Sequence, residues 1–174
     1  MRKILSITIF FIVLTILSAR NCFAQNVPID SAKLLISTDE NVFDYRVENL
    51  RKFLNKYNSP LASYAEEFVT YADKNNLDYR LVPAITGVES TFGKHIPKNS
   101  FNAYGWANGA YKFISWEDSI KHVSEVLKNS YIDRGIDSIG EIAKVYAPPS
   151  NTWGGNVKFF VGKIDTLPLN FDII

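Results

Sequence analysis

The segment that decides the fold reads DYRLVPAITGVESTFGK and spans residues 78–94. Apolar residues recur in it at the three- and four-residue spacing of one helix face, namely Leu81, Ala84, Ile85 and Val88. Asp78 is a residue type that caps helix starts, and Pro83 is tolerated near the first turn. Gly93 readily adopts the left-handed conformation that ends many helices. The pattern therefore predicts a buried helix that starts after Asp78 and ends at Gly93.

Glu89 stands at the edge of this apolar stripe, one turn beyond Ile85. A carboxyl group near the C-terminal end of a helix lies close to the negative pole of the helix dipole, and its apolar neighbours further disfavour the charged form. A carboxylic acid that stays protonated near neutral pH is what glycosidic bond cleavage needs as a general acid. The alternative is a solvated surface glutamate without a catalytic role.

Residues 1–24 have the pattern of a secretory signal peptide. Two basic residues precede an apolar run over residues 4–17, which is short for a membrane span, and a cut after Ala19 is an alternative. Residues 25–43 are mixed and polar and predict a flexible leader. The sequence thus predicts a protein that is secreted or directed to the periplasm or cell envelope, with one domain over residues 44–174.

The composition of the mature chain limits the classes of partner and cofactor that we expect it to bind. The predicted signal peptide holds three of the 19 basic and none of the 18 acidic side chains. After its removal the chain has 16 basic and 18 acidic side chains. A slightly negative chain is a poor candidate for nucleic-acid binding. The single cysteine, Cys22, is removed, and His95 and His122 are isolated, so we expect no disulfide, no metal and no other cofactor. We expect a monomer that does not bind a membrane.

Local start signals predict five further helices. They begin after Asp44, Ser59, Ser115, Ser138 and Thr152 and run to about Tyr57, Lys74, Tyr131, Tyr146 and Ile164. The first two are N-terminal helices over residues 44–74, and the others join the central helix in a core over residues 77–164. Residues 106–113 lack helical periodicity, which predicts a loop or a short hairpin. The predicted fold is mainly α, a single helical domain with a small irregular or β element after the central helix.

The order of several short motifs resembles the lysozyme superfamily. Glu89-Ser90 closes a buried helix, Asn102-x-x-Gly105 follows in a loop, and Tyr146-Ala147-Pro148 ends a later helix before one led by Trp153. This order is similar to that of bacterial peptidoglycan glucosaminidases of glycoside hydrolase family 73 and of their relatives among lytic transglycosylases. The resemblance covers about residues 77–164. It implies an α+β lysozyme-like fold and an enzyme that cleaves the β-1,4 glycan strands of peptidoglycan.

The resemblance also implies roles for seven residues. Glu89 would be the catalytic acid, with Tyr146 beside it facing the sugar. Substrate binding would fall to Ser90, Asn102, Gly105, Trp106 and Trp153. Simpler interpretations are a tyrosine packed on the following prolines and an asparagine that satisfies a turn. Ala147-Pro148 also departs from the transglycosylases, which usually show an asparagine after this tyrosine.

A second carboxylate is not evident in the sequence. Hydrolases with two carboxylates hold them roughly 5 to 10 Å apart. Glu117 and Asp118 are candidates, but a position in the first turn of a helix already explains both. Attack on the anomeric carbon by the acetamido oxygen of the substrate or by the muramic 6-hydroxyl would make a second carboxylate unnecessary. We therefore expect an endo-β-N-acetylglucosaminidase-type hydrolase, with a muramidase, a lytic transglycosylase, a non-catalytic glycan-binding relative and a helical scaffold as alternatives.

Overall fold

The computed structural model describes residues 44–165, so the expectations for residues 1–43 and 166–174 lie outside the described residues. The described part contains six α-helices: α1 (Tyr45–Lys56), α2 (Ala65–Lys74), α3 (Leu81–Ser90), α4 (Trp116–Ser130), α5 (Ile139–Tyr146) and α6 (Trp153–Ile164). Short 3₁₀ turns occur at Pro60–Tyr64, Trp106–Gly109 and Ile132–Arg134. No strand occurs between residues 44 and 165. The mainly helical class is confirmed, and the segment after α3 is irregular, not a hairpin.

Three of the six predicted helix starts are confirmed by their capping bonds. The Asp44 carboxylate accepts from the Arg46 N–H at 2.9 Å, and the Ser115 hydroxyl accepts from the Asp118 N–H at 3.0 Å. A capping box opens α5 at Ser138. The helix predicted after Ser59 differs, because Pro60–Tyr64 forms a 3₁₀ turn and α2 begins only at Ala65.

Helix α3 is the most buried element of this part of the chain. All residues from Leu81 to Gly87 are buried, and so is Ser90. The helix packs most extensively on α6 and also contacts α2 and α4. Because α3 is surrounded, the side chains at its C-terminal end are held by packing from several directions. None of the helices in residues 44–165 has the length and apolar run that a membrane span requires.

The end of α3 differs from the sequence prediction. The helix ends at Ser90 rather than at Gly93, and Thr91, Phe92 and Gly93 all have left-handed backbone angles, with φ of 52°, 59° and 79°. The Thr86 carbonyl accepts from the N–H groups of both Thr91 and Phe92. Phe92 is fully buried, with its ring 5.3 Å from that of Phe53. Burial of the Phe92 ring is a long-range interaction that the local glycine signal does not include.

The start of α3 is tied to the end of α6. The Asp78 carboxylate does not cap the helix itself, since it accepts from the Arg80 N–H at 2.9 Å and from Arg80 Nε at 2.8 Å. Arg80 Nη1 also donates to the Asp165 carbonyl at 3.1 Å, and the Tyr79 hydroxyl donates to the Asp165 carboxylate at 3.0 Å. Asp78 and Arg80 are only 4% and 2% exposed, so this ion pair lies inside the fold.

Gly87 allows α3 to approach its aromatic neighbours closely. A Cβ atom at this position would lie 2.6 Å from Phe92 Cε1 and 3.0 Å from Phe160 Cδ2. We expect Gly87→Ala to lower the free energy of unfolding by about 1–3 kcal/mol, because overpacking outweighs the better helix propensity of alanine. Urea denaturation measures this change. Gly162→Ala in α6 is the control, since a Cβ there meets nothing within 4 Å; equal stability of the two variants would contradict the packing argument.

Candidate active site

The carboxyl group of Glu89 is held between two other segments of the chain. Glu89 is the penultimate residue of α3 and is half-buried. Its Oε1 accepts a hydrogen bond from the indole Nε1 of Trp153 at 2.6 Å. Its Oε2 lies on the side of Gly105, 2.6 Å from the point where a Cβ of residue 105 would stand. Helix α6 and the loop after α3 therefore meet at this carboxyl group.

Two opposing effects act on the ionisation of Glu89. Burial raises the pKa of its carboxyl group above the ordinary value, and the hydrogen bond from Trp153 opposes that rise. Burial is the larger effect, so the pKa is raised overall. Among residues 44–165 no Lys, Arg or His forms an ion pair with Glu89. The carboxyl group thus keeps its proton to a higher pH than a solvated glutamate does.

Tyr146, at the end of α5, lies beside Glu89. Its ring stacks on Trp153, with centroids 5.0 Å apart and planes inclined by 25°. Its hydroxyl donates to the backbone carbonyl of Tyr104 at 2.7 Å. Burial and the nearby Glu89 carboxylate raise the pKa of the Tyr146 phenol well above 10, so it is neutral at physiological pH. Because its proton is used in the bond to Tyr104, the phenol oxygen can act toward any other group only as an acceptor.

Trp153, to which the resemblance assigns a substrate-binding role, is buried. The residue is 4% exposed, with its ring on Tyr146 and its N–H on Glu89. A sugar needs an exposed ring face, which Trp153 does not present. It contacts the candidate acid directly instead.

Asn102 organises the loop between α3 and α4 from within. Its amide nitrogen donates to the carbonyls of Trp106 and Tyr111, and its amide oxygen accepts from the N–H groups of Tyr104 and Trp106. The residue is 2% exposed, so its bonding capacity is used by the loop and little surface remains for a substrate. Asn102 therefore sets the path of the loop, which places Gly105 against Glu89.

Ser90 joins the same loop to α3. Its buried hydroxyl lies 2.8 Å from the Ala103 carbonyl and 3.1 Å from the Thr86 carbonyl, and it accepts from the Gly93 N–H at 2.9 Å. One of these contacts runs back into α3, to the Thr86 carbonyl, and another reaches the loop at Ala103. The buried hydroxyl thus ties the end of α3 to the loop.

Trp106 and Tyr146 are both partly exposed. The Trp106 ring meets His122 edge to face, with centroids 5.5 Å apart. His122 also contacts the rings of Tyr111 and Phe113. The structure thus gives Trp106 an aromatic neighbourhood next to Gly105 and leaves part of its surface open to a ligand.

The two acids considered as catalytic partners have other contacts. The Glu117 carboxylate accepts from the Tyr71 hydroxyl at 3.1 Å, and the Asp118 carboxylate accepts from the Ile114 N–H at 3.2 Å. Both are in the first turn of α4, where the helix dipole favours negative charge. These contacts account for both acids without a role beside Glu89.

Gly105 lets the loop backbone approach the carboxyl group of Glu89 closely. Its φ of 66° is unfavourable for other residues, and a Cβ would collide with Glu89 Oε2. We expect Gly105→Ala to displace the Glu89 carboxyl group; for a catalytic acid such a misplacement by 1 Å costs about 10²-fold in turnover. Release of fragments from peptidoglycan, the substrate that the resemblance implies, measures the loss. Gly109→Ala is the control, because it has a similar φ of 82° but its Cβ would meet only Pro97, at 3.8 Å; equal losses in both variants would contradict this role.

Sequence reasoning missed two features of this site. The backbone carbonyl of Tyr104 anchors Tyr146, and Tyr104 lies inside the Asn102-x-x-Gly105 loop that the sequence had singled out. The hydrogen bond from Trp153 to Glu89 joins residues 64 positions apart, for which a single sequence gives no signal.

Two cavities lie apart from Glu89. One, of about 460 Å³, is formed by α1 and the end of α6. The other, of about 350 Å³, lies between α5 and the start of α6. Neither is lined by any of the seven predicted site residues. The candidate site is therefore defined by the chemistry around Glu89 and not by these cavities.

Comparison with known proteins gives no assignment. No protein-family model matches the chain, and no curated protein matches it.

Proposed function

We propose that this protein is an exported, lysozyme-like enzyme that cleaves the β-1,4 glycan strands of peptidoglycan, with Glu89 as its single general acid. The observation that carries the proposal is the state of this carboxyl group. It is half-buried at the end of a helix, its pKa is raised by burial, and it is fixed by Trp153 on one oxygen. A protonated, oriented carboxyl group is the requirement for protonating a glycosidic oxygen.

In the proposed reaction Glu89 donates its proton to the glycosidic oxygen as the bond to the anomeric carbon breaks. The acetamido oxygen of the same sugar attacks that carbon, and the ring closure stabilises the positive charge. The Glu89 carboxylate then takes a proton from a water molecule, whose oxygen opens the intermediate. The Tyr146 phenol is neutral and donates its hydrogen bond to the Tyr104 carbonyl. A lone pair of its oxygen can therefore stabilise the positive charge that develops on the sugar.

The contacts of Glu117 and Asp118 support a mechanism without a second protein carboxylate. Two reactions meet that condition. One is the hydrolysis described above, which defines an endo-β-N-acetylglucosaminidase. In the other the muramic 6-hydroxyl attacks, which gives an anhydro product and defines a lytic transglycosylase. We put hydrolysis first, with the transglycosylase, a muramidase and a non-catalytic glycan-binding relative as the alternatives.

Mass spectrometry of peptidoglycan digested with the protein lacking residues 1–24 tests the proposal. Reducing N-acetylglucosamine ends would support a glucosaminidase. Reducing muramic ends would replace it with a muramidase, and anhydro ends with a transglycosylase. If several peptidoglycan types release nothing above the level of the Glu89→Gln variant yet still bind the protein, the enzyme proposal fails and the glycan-binding alternative takes its place.

A further inference from the structure

We infer that Trp153 is a positioning residue that fixes which oxygen of Glu89 carries the acidic proton. By this inference the proton is on Oε2, the oxygen beside Gly105, and the glycosidic oxygen approaches Glu89 from the Gly105 side. The inference rests on the proposed function only for the identity of the proton acceptor.

The assignment follows from the direction of one hydrogen bond. An indole N–H is only a donor, so the oxygen that it contacts acts as an acceptor. Trp153 Nε1 donates to Glu89 Oε1 at 2.6 Å. In a protonated carboxyl group the carbonyl oxygen is the acceptor, and the hydroxyl is on the other oxygen. Oε1 is therefore the carbonyl oxygen, and the proton belongs to Oε2.

The donor itself is held in place by a chain of contacts. Trp153 is almost completely buried, and its ring stacks on that of Tyr146. The Tyr146 hydroxyl is anchored to the carbonyl of Tyr104, which directly precedes Gly105. The contacts therefore run from Glu89 Oε1 through Trp153 and Tyr146 to the loop that faces Glu89 Oε2. This arrangement prevents the carboxyl group from exchanging its two oxygens by a rotation of its terminal torsion.

Gly105 brings the loop backbone against Oε2 without a side chain. Any larger residue would place its Cβ against this oxygen. Gly105 thus keeps the Oε2 side of the carboxyl group free of a side chain from residue 105, and Trp153 keeps the proton on that side.

The titratable group that faces Glu89 is Tyr146, from α5. Its phenol is neutral, and Tyr104 and Tyr131 contribute further to its raised pKa. No cation of the described residues pairs with Glu89. Within residues 44–165 the hydrogen bond from Trp153 favours the charged form of Glu89, and desolvation by burial opposes it. Removal of this hydrogen bond raises the pKa of Glu89 further.

Trp153→Phe tests the inference, because phenylalanine keeps an aromatic ring in the place that stacks on Tyr146 and removes the N–H together with part of the bicyclic ring. Infrared difference spectra between low and high pH, corrected with the spectra of Glu89→Gln, isolate the carbonyl stretch of protonated Glu89. We expect this band to move to higher frequency in Trp153→Phe, since the carbonyl oxygen loses its donor, and the pKa of Glu89 to rise. Trp116→Phe is the control, because Trp116 packs on Phe101. In this variant the carbonyl band and the pKa of Glu89 should equal those of wild type.

A second measurement needs no variant of Trp153. In NMR spectra of the chain with ¹⁵N-labelled tryptophan, the Trp153 indole resonance of wild type should shift as Glu89 titrates and should not do so in Glu89→Gln. An indole resonance that is insensitive to this titration, or an unchanged carbonyl band in Trp153→Phe, would overturn the inference. Neither readout requires turnover. A protein that shows both effects and cleaves no glycan would disprove the proposed function while leaving the proton assignment intact.

Discussion

Glu89→Gln is expected to reduce the release of peptidoglycan fragments by about 10²–10⁴-fold, the usual contribution of general acid catalysis. Glutamine has nearly the same shape and still accepts from Trp153 through its amide oxygen, but it has no acidic proton. The loss should therefore appear in turnover and not in binding of the glycan. Initial rates of product release, with sedimentation of the protein on insoluble peptidoglycan, separate the two effects.

Glu117→Gln is the matched control, since Glu117 is an exposed acid whose contact is with Tyr71. It should cleave glycan at the rate of wild type. A loss in Glu117→Gln equal to that in Glu89→Gln would identify a second catalytic carboxylate and would contradict the single-acid mechanism.

The thermal stability of Glu89→Gln provides a further test. A damaging substitution would lower the stability of the folded chain, whereas this one is expected to leave it unchanged or to raise it. The folded chain raises the pKa of Glu89, so ionisation of the carboxyl group costs stability as the pH rises through its ordinary and then its folded pKa. Above that window the glutamine variant avoids the cost. We expect its thermal midpoint to be equal to or higher than that of wild type at neutral pH, and closest to wild type in acid. A lower midpoint at neutral pH would show that the carboxylate is not disfavoured.

Arg80→Met is expected to have the largest effect on stability, a loss of about 3–5 kcal/mol in the free energy of unfolding. Methionine matches part of the volume of arginine but removes the guanidinium that pairs with the Asp78 carboxylate inside the fold. The contact to the Asp165 carbonyl at the end of α6 is lost as well. Urea or guanidinium denaturation measures the change.

Arg46→Met is the matched control for this prediction. Arg46 also pairs with aspartates, Asp44 and Asp73, but these side chains are between 23% and 44% exposed. Water screens such pairs, so we expect a loss of about 1 kcal/mol or less. A double variant in which Asp78→Asn accompanies Arg80→Met should recover part of the loss of the single variant. Equal losses in Arg46→Met and Arg80→Met would contradict the argument from burial.

Local physical chemistry determined most of the helices. The apolar spacing and the capping residues at Asp44, Ser115 and Ser138 involve neighbours within one or two turns, so they act in the same way in any fold. The helical class, the position of the central helix and the candidacy of Glu89 for an acidic role therefore follow from the sequence. The 3₁₀ turn after Ser59 shows the limit of such signals, since serine followed by proline starts either kind of helix.

Only the tertiary structure decided the environment of that acid. Burial of Phe92 among the aromatic rings of α1 and α6 ends α3 before Gly93. The hydrogen bonds of Asn102 and Ser90 turn both side chains into the loop, where a sequence pattern suggested contact with substrate. Trp153 meets Glu89 because α6 packs on α3. These contacts join residues far apart in the chain, and their geometry depends on how the helices pack, which a local pattern of residues does not contain.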